Sequence, residues 1–173
     1  LWKDRKRNHF MLLYSFSKVF RLTGHRVGAV VTSTKRMQEI EKFLDTSTIC
    51  ANQIGQHAAL FGLKKLSYWV QEQRLDLLKR RESLERGFED LESDGWVLRG
   101  LGAYFAYLEY PFTISSRELS KRLLEEKGIL TVPGALFSNK TEAVANRFLR
   151  VAFANISLDD IQILFQRLKS FKL

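Results

Sequence analysis

The chain has 173 residues, a net charge of +9 and 45% apolar residues, which is the composition of a folded globular protein rather than a disordered one. Its length suits one ordinary domain, or one small domain with part of another. No apolar run approaches the roughly 18 residues of a membrane span, and residues 1–14 do not resemble a signal peptide. A single cysteine, Cys50, excludes an internal disulfide, and the three histidines lack metal-ligand spacing. We therefore expect a cytoplasmic protein with no membrane contact and no metal.

The positive charge is concentrated near the N-terminus. Residues 1–36 contain nine basic residues and one acid, whereas the rest of the chain contains 19 basic and 18 acidic residues. This asymmetry predicts a bound anion beside the N-terminal segment, or an acidic partner for it that the sequence does not include. A nucleic-acid-binding patch is the alternative, and it would give steeply salt-dependent binding.

The first third of the chain reads as two strands followed by helices. Phe10–Phe16 and Arg26–Thr32 are short apolar runs typical of buried strands, and residues 35–45 have helical spacing. The residue pattern over 53–92 predicts a helix with one break, near Gly62 or Lys64-Lys65. A leucine-rich stripe recurs every seven residues along it, at Leu63, Val70, Leu77, Leu84 and Leu91. Because the companion positions Gln73 and Arg80 are polar, we favour a helix packed on a globular body over a coiled coil.

The remainder mixes strands and helices. We predict strands at 96–98 and 102–110 around a turn at 99–101, and further strands at 129–132 and 148–154. A capping signal at Ser115–Glu118 opens a helix that Gly128 ends, and a second signal at Ser157 opens the last helix. Intermixed helices and strands predict an α/β or α+β class.

The segment between the first two strands carries the chemistry. Lys18 lies at the end of an apolar strand, where desolvation and the nearby Arg26 favour its neutral amine. A neutral amine can form a Schiff base with a carbonyl. Two serine hydroxyls, Ser15 and Ser17, and the Arg26 guanidinium are groups that bind phosphate. An amine nucleophile beside a phosphate cradle suits pyridoxal phosphate.

Residues 15–28 read S-F-S-K-V-F-R-L-T-G-H-R-V-G, which resembles the cofactor-lysine motif of the class I/II aminotransferases, the fold-type I pyridoxal-phosphate enzymes. Three later segments resemble the same family in the same order. They are Gly102-Ala103-Tyr104-Phe105, the run Val132-Pro133-Gly134 with Phe137-Ser138, and the strand Phe148–Ala154. The resemblance covers essentially the whole chain, as the C-terminal half of such an enzyme.

The resemblance implies a role for five residues. Lys18 would carry the cofactor as a Schiff base and move the proton between the substrate Cα and the cofactor. Ser15, Ser17 and Arg26 would bind the cofactor phosphate, and Arg150 would hold the substrate α-carboxylate. The implied reaction transfers an amino group from an amino acid to a 2-oxo acid, and the intact enzyme is expected to be a homodimer.

The resemblance also implies a fold and a domain division. Residues 1–52 would be the end of the large pyridoxal-phosphate-binding domain, and residues 53–173 the long interdomain helix with the small α+β domain. The family's D-x-x-Y motif, which supplies the acid on the pyridine nitrogen, is absent from residues 1–14, and the first residue is Leu1. We therefore expect a C-terminal fragment that alone binds the cofactor poorly and catalyses little.

Three other functions stay open at this stage. A pyridoxal-phosphate-dependent C–S lyase uses a similar lysine motif, and an aminotransferase-like sensor domain occurs in transcription regulators. A basic nucleic-acid-binding module at residues 1–36 belongs to a different class, and we disfavour it because the cofactor and the missing half of the enzyme already account for the charge.

Overall fold

A computed structural model describes residues 10–138 and 146–173. It divides the chain into two compact units, an N-terminal unit (Leu1–Gln73) and a C-terminal unit (Arg74–Leu173). The division falls inside a long helix, whereas the sequence analysis places a domain boundary at 52/53. Each unit is described by itself below.

The N-terminal unit begins with a β-ribbon. Strand β1 (Leu12–Ser15) pairs antiparallel with β2 (Gly28–Val31), with Leu12 opposite Val31 and Ser15 opposite Gly28. The short helix α1 (Phe16–Val19) and a 3-10 turn (Thr23–His25) lie between the two strands. Both strands were predicted, and their existence is confirmed.

The burial expected for these strands is wrong, since no residue of β2 is buried and β1 is the more exposed of the two. All four residues of β1 are exposed, and Leu13 is 71% exposed. Within residues 10–138 and 146–173, this sheet has two strands, too few to bury the apolar side chains. The small core of the unit is formed instead by Phe16, Val27 and Ala59.

Helices complete the unit. They are α2 (Thr34–Ser47), α3 (Gln53–Lys65) and the start of α4 (Ser67–Glu92). The predicted break in the helical region 53–92 is confirmed and falls at Leu66. Asn52 caps the N-terminus of α3, where its side chain accepts a hydrogen bond from the Gly55 backbone N–H at 2.6 Å.

The C-terminal unit contains a four-stranded antiparallel sheet in the order β3-β4-β6-β5. Its strands are β3 (Val97–Gly102), β4 (Phe105–Glu109), β5 (Val132–Pro133) and β6 (Phe148–Ala152). β5 begins later than the predicted strand 129–132. Ile129 is buried in the core before the strand begins.

The turn expected at 99–101 is wrong. Residues 99–101 belong to β3, which contains a bulge between Leu98 and Gly100. The chain reverses at Ala103-Tyr104, where Ala103 adopts a left-handed conformation with φ of 48°. A glycine such as Gly100 is common both in turns and in bulges, so the local sequence does not separate the two.

One face of this sheet carries the core. Alternate residues of β4 and β6, including Ala106, Leu108, Leu149 and Val151, are buried on that face. Helix α5 (Ser116–Lys127) runs from the Ser115 cap to Gly128, and α6 (Leu158–Lys169) from the Ser157 cap, as predicted.

The leucine stripe begins in α3 and continues along α4, and it is buried only near the C-terminal end of α4. Leu84 and Leu91 are at most 1% exposed and belong to this core, together with Phe88. Leu63, the first residue of the stripe, is 59% exposed. The predicted packing on a globular body is thus confirmed for the second half of the stripe. No helix in the described ranges is both long and apolar enough to cross a membrane.

Candidate active site

Lys18 lies in α1, directly after β1. Ser15 caps this helix, and its hydroxyl oxygen accepts a hydrogen bond from the Ser17 backbone N–H at 3.3 Å. The Lys18 side chain is exposed, so the desolvation expected from its position at a strand end is not present in this chain. Among the described residues, its ammonium has no hydrogen-bonding or ionic partner.

Arg26 is brought to the same end of the ribbon. The Phe16 backbone N–H donates to the carbonyl of Val27 at 3.3 Å, which joins the start of α1 to the residue after Arg26. Gly28 makes the close approach of the strands possible, since a Cβ there would lie 2.8 Å from the Tyr14 carbonyl oxygen. The structure therefore places Ser15, Ser17, Lys18 and Arg26 on two adjoining segments of the N-terminal unit.

Arg26 has an unusual backbone. It adopts a left-handed conformation with φ and ψ of 49°, and its Nη1 donates to the Thr23 carbonyl at 3.0 Å. Non-glycine residues rarely adopt this conformation, and such outliers gather at ligand sites. The Thr23 contact uses one of the five guanidinium N–H groups, and no acidic partner is seen for Arg26 in the described part of the chain.

Helices α3 and α4 hold the segment between Lys18 and Arg26. The Phe20 ring packs against Gly62, and the Asn52 Nδ2 donates to the His25 carbonyl. Arg21, also left-handed with φ of 56°, lies over the Trp69 ring at 5.4 Å from its centroid and donates from Nη2 to Gln73 Oε1 at 2.5 Å.

The sequence analysis missed these supporting residues. Their partners lie 27 to 52 positions away along the chain. Only the capping residue Asn52, just before a helical pattern, offered a local signal.

Arg150 lies in the C-terminal unit, on β6 between β4 and β5. Its register partners are Tyr107 and Val132. Because Leu149 and Val151 face the core, Arg150 points to the opposite face of the sheet. Its guanidinium carbon lies 4.3 Å from the centroid of the Phe105 ring and 4.7 Å from that of Phe137. Its Nε is buried and has no hydrogen-bonding partner in the described ranges.

The donor set in the N-terminal unit fits pyridoxal phosphate. A dianionic phosphate needs hydroxyl and guanidinium donors without a competing carboxylate, and Ser15, Ser17 and Arg26 meet that requirement. The cofactor aldehyde needs an accessible primary amine, which Lys18 provides. In the C-terminal unit, the Arg150 guanidinium has no carboxylate partner among the described residues, which suits it to a carboxylate ligand.

The family model for aminotransferase class I and II matches residues 3–168 of the chain. An aspartate aminotransferase of Sulfurisphaera tokodaii is 27% identical, with 95% of this chain and 41% of the relative aligned. A (5-formylfuran-3-yl)methyl phosphate transaminase of Methanocaldococcus jannaschii is also 27% identical, with 97% of this chain and 43% of the relative aligned. The chain therefore spans about two-fifths of the length of these relatives.

A solved structure from Methanococcus jannaschii, described as similar in its active site to kynurenine aminotransferases, superposes with a TM-score of 0.80. It is 26% identical and is matched over 96% of this chain and 43% of its own. The chain belongs to the class I and II aminotransferase family, and the α/β fold expected from the sequence is confirmed.

Proposed function

We propose that this chain is the C-terminal half of a pyridoxal-phosphate-dependent aminotransferase that transfers an amino group from an amino acid to a 2-oxo acid. One observation carries the proposal. An accessible Lys18 amine adjoins the Ser15 and Ser17 hydroxyls and Arg26, on a segment that α3 and α4 hold in place. Membership of the aminotransferase family supports the same function.

The cofactor, when bound, would supply an aldehyde carbon and a ring that withdraws electrons from the substrate Cα. Ser15, Ser17 and Arg26 would bind its phosphate, and this anchor would fix the position of the aldehyde relative to Lys18. The Lys18 Nζ would hold the aldehyde carbon before substrate arrives. With substrate bound, the same Nζ would act as the base that takes the proton from the substrate Cα.

Arg150 would bind the substrate α-carboxylate. A guanidinium can donate two parallel hydrogen bonds to a carboxylate, which fixes the orientation of the carboxylate as well as its position. Such orientation would direct the Cα–H bond towards the base, and it accounts for a large share of rate enhancement in many enzymes.

The wider features of the intact enzyme belong to the same proposal. We propose a division at 52/53 between the large domain and the helix leading to the small domain, a homodimeric assembly and a cytoplasmic location. The relatives named above act on different substrates at equal identity, so the amino donor is left to experiment.

The decisive test uses the longest natural chain that contains this sequence. The protein is incubated with pyridoxal phosphate, reduced with borohydride and digested, and the modified peptide is identified by mass spectrometry. We expect a phosphopyridoxyl group on Lys18 in the wild type and its loss in K18R, which keeps the charge but not the nucleophile. K35R is the matched control and should retain the label on Lys18.

The labelling experiment can also contradict the proposal. No adduct, or an adduct spread over several surface lysines, contradicts the proposal. If Lys18 is labelled, an amino-acid panel follows, in which amino transfer yields a new amino acid whereas a C–S lyase releases ammonia.

A further inference from the structure

The surroundings of Arg150 contain an arrangement that the motifs do not explain. Phe105 and Phe137, here called the ring pair, both contact the guanidinium through their ring faces. Phe105 pairs with Ala152 in the β4–β6 register, which places it diagonally beside Arg150 on the same face of the sheet. Phe137 follows the 3-10 turn Gly134–Leu136 that comes after β5.

A ring face and a carboxylate hold an arginine in different ways. A carboxylate accepts hydrogen bonds and therefore occupies the N–H groups at the edge of the guanidinium. An aromatic face attracts the cation through its quadrupole and accepts no conventional hydrogen bond from that edge. The ring pair can therefore fix the plane of the Arg150 guanidinium while its N–H groups stay available.

Arg122 in the same unit shows the contrast. Its guanidinium carbon lies 5.3 Å from the Phe171 ring centroid, so it too contacts an aromatic face. Its Nε, however, donates to Glu126 Oε1 at 2.6 Å, and this ion pair occupies the donor edge. The Arg150 Nε is buried without a partner in the described ranges. Of these two arginines, Arg150 is the one whose guanidinium is not occupied by a carboxylate of the described residues.

We propose that Phe105 and Phe137 are positioning residues that hold the Arg150 guanidinium for a carboxylate ligand. The inference deepens the proposed function and rests on it, because the ligand would be the substrate α-carboxylate. Holding the donor in advance reduces the ordering cost of binding, so loss of the rings should weaken carboxylate binding without removing the charge.

The test measures carboxylate binding at Arg150 directly. The longest natural chain containing this sequence is treated with the arginine reagent phenylglyoxal at increasing acetate concentrations, and modification at each arginine is followed by peptide mass spectrometry. Acetate should slow modification of Arg150, and modification of Arg122 serves as the internal control. The wild type is compared with F105L/F137L and with F105Y/F137Y, which keeps both rings.

We expect the leucine variant to need about threefold to tenfold more acetate for half protection of Arg150, as the loss of aromatic contacts to a cation implies. The tyrosine variant should stay close to the wild type. Because Phe105 is 38% and Phe137 is 52% exposed, both variants should fold, and a thermal melt checks this. If the two rings had only a general structural role, the leucine and tyrosine variants would show the same acetate protection of Arg150 whenever their melting temperatures are equal.

Two results would overturn the inference. Equal protection of Arg150 in the wild type and the leucine variant would show that the rings do not position it. Absence of acetate protection in the wild type would show that Arg150 is not a carboxylate site. Neither result affects the labelling of Lys18 by the cofactor. Failure of this inference is therefore distinguishable from failure of the proposed function.

Discussion

Phe20 packs so closely on Gly62 that a Cβ at position 62 would lie 2.6 Å from the Phe20 Cδ2 atom. Phe20 follows directly after α1, and Gly62 is buried inside α3. The contact therefore ties the helix that contains Lys18 to α3. A side chain at residue 62 would displace the ring and with it the segment on which the proposed cofactor site depends.

Gly62→Ala should therefore destabilise the N-terminal unit although alanine is the better helix former. We expect overpacking to cost more than the about 1 kcal/mol that helix propensity restores, with a net loss of up to about 2 kcal/mol. Urea denaturation measures the net effect. Gly24→Ala is the matched control, because nothing lies within 4 Å of a Cβ at position 24. Equal stability of G62A and G24A would contradict the packing argument.

Arg21→Ala should destabilise the chain more than Arg21→Gly does. Both variants lose the contacts with Trp69 and Gln73, but glycine adopts the left-handed backbone of residue 21 without strain. We expect a difference of about 1 kcal/mol between the two variants in denaturant titrations. Both should also speed amide hydrogen exchange over residues 18–26. Unchanged exchange in that segment would show that Arg21 does not hold it.

Tyr110→Phe should destabilise the C-terminal unit. Tyr110 is fully buried, and its hydroxyl lies within hydrogen-bonding reach of two backbone carbonyls, those of Ile114 (2.9 Å) and Asn146, either of which can accept its single proton. Loss of this donor removes a partly buried hydrogen bond, which costs about 0.5–1.5 kcal/mol. Thermal and denaturant unfolding measure the loss, and Tyr68→Phe at a 76% exposed position is the control.

The same tyrosine predicts a pH dependence. Burial raises the pKa of Tyr110 from 10.0 to about 12. The folded state thus keeps a proton that the unfolded state loses, so its contribution to stability is complete below pH 10 and is lost as the pH rises towards about 12. The free energy of unfolding of the wild type should fall more steeply than that of Y110F over this range. Parallel curves would contradict the assignment.

Asp160→Asn should flatten the acid dependence of stability. In the capping box at the start of α6, the Asp160 carboxylate accepts from the Ser157 backbone N–H at 3.0 Å and from its hydroxyl at 2.8 Å. These hydrogen bonds lower the pKa of Asp160 below 3.8. The stabilisation is therefore present above pH 3.8 and is lost as the pH falls through the lower, folded-state value. Melting curves from pH 7 to pH 2 test this, with Asp159→Asn as the control.

Local signals predicted much of the fold. Helix ends were placed well where a side chain or a glycine marks them, as at Ser115, Gly128 and Ser157, because capping is decided within one turn. The β3–β4 turn was misplaced, since a bulge and a turn use similar residues and only strand pairing separates them. The exposure of β1 was missed because a run such as L-L-Y-S reports the apolar character of the strand and not what covers it.

The residues of the candidate site also differ in whether the local sequence predicts them. Lys18, Ser15, Ser17 and Arg26 lie within twelve residues and form a motif that a sequence can display. The residues that hold them, such as Arg21 against Trp69, depend on contacts between distant positions. Phe105 and Phe137 beside Arg150 are likewise joined by strand register and a loop, which no local spacing encodes.

The exposed β-ribbon also governs how this chain behaves in solution. Across the described ranges, β1 and β2 pair with each other alone, and apolar side chains such as Leu13 and Val31 face water. Unpaired strand edges next to exposed apolar surface act as templates for the addition of further strands. Preparations of this chain should therefore lose material to aggregation in a concentration-dependent way, and dilute, low-temperature handling should slow that loss.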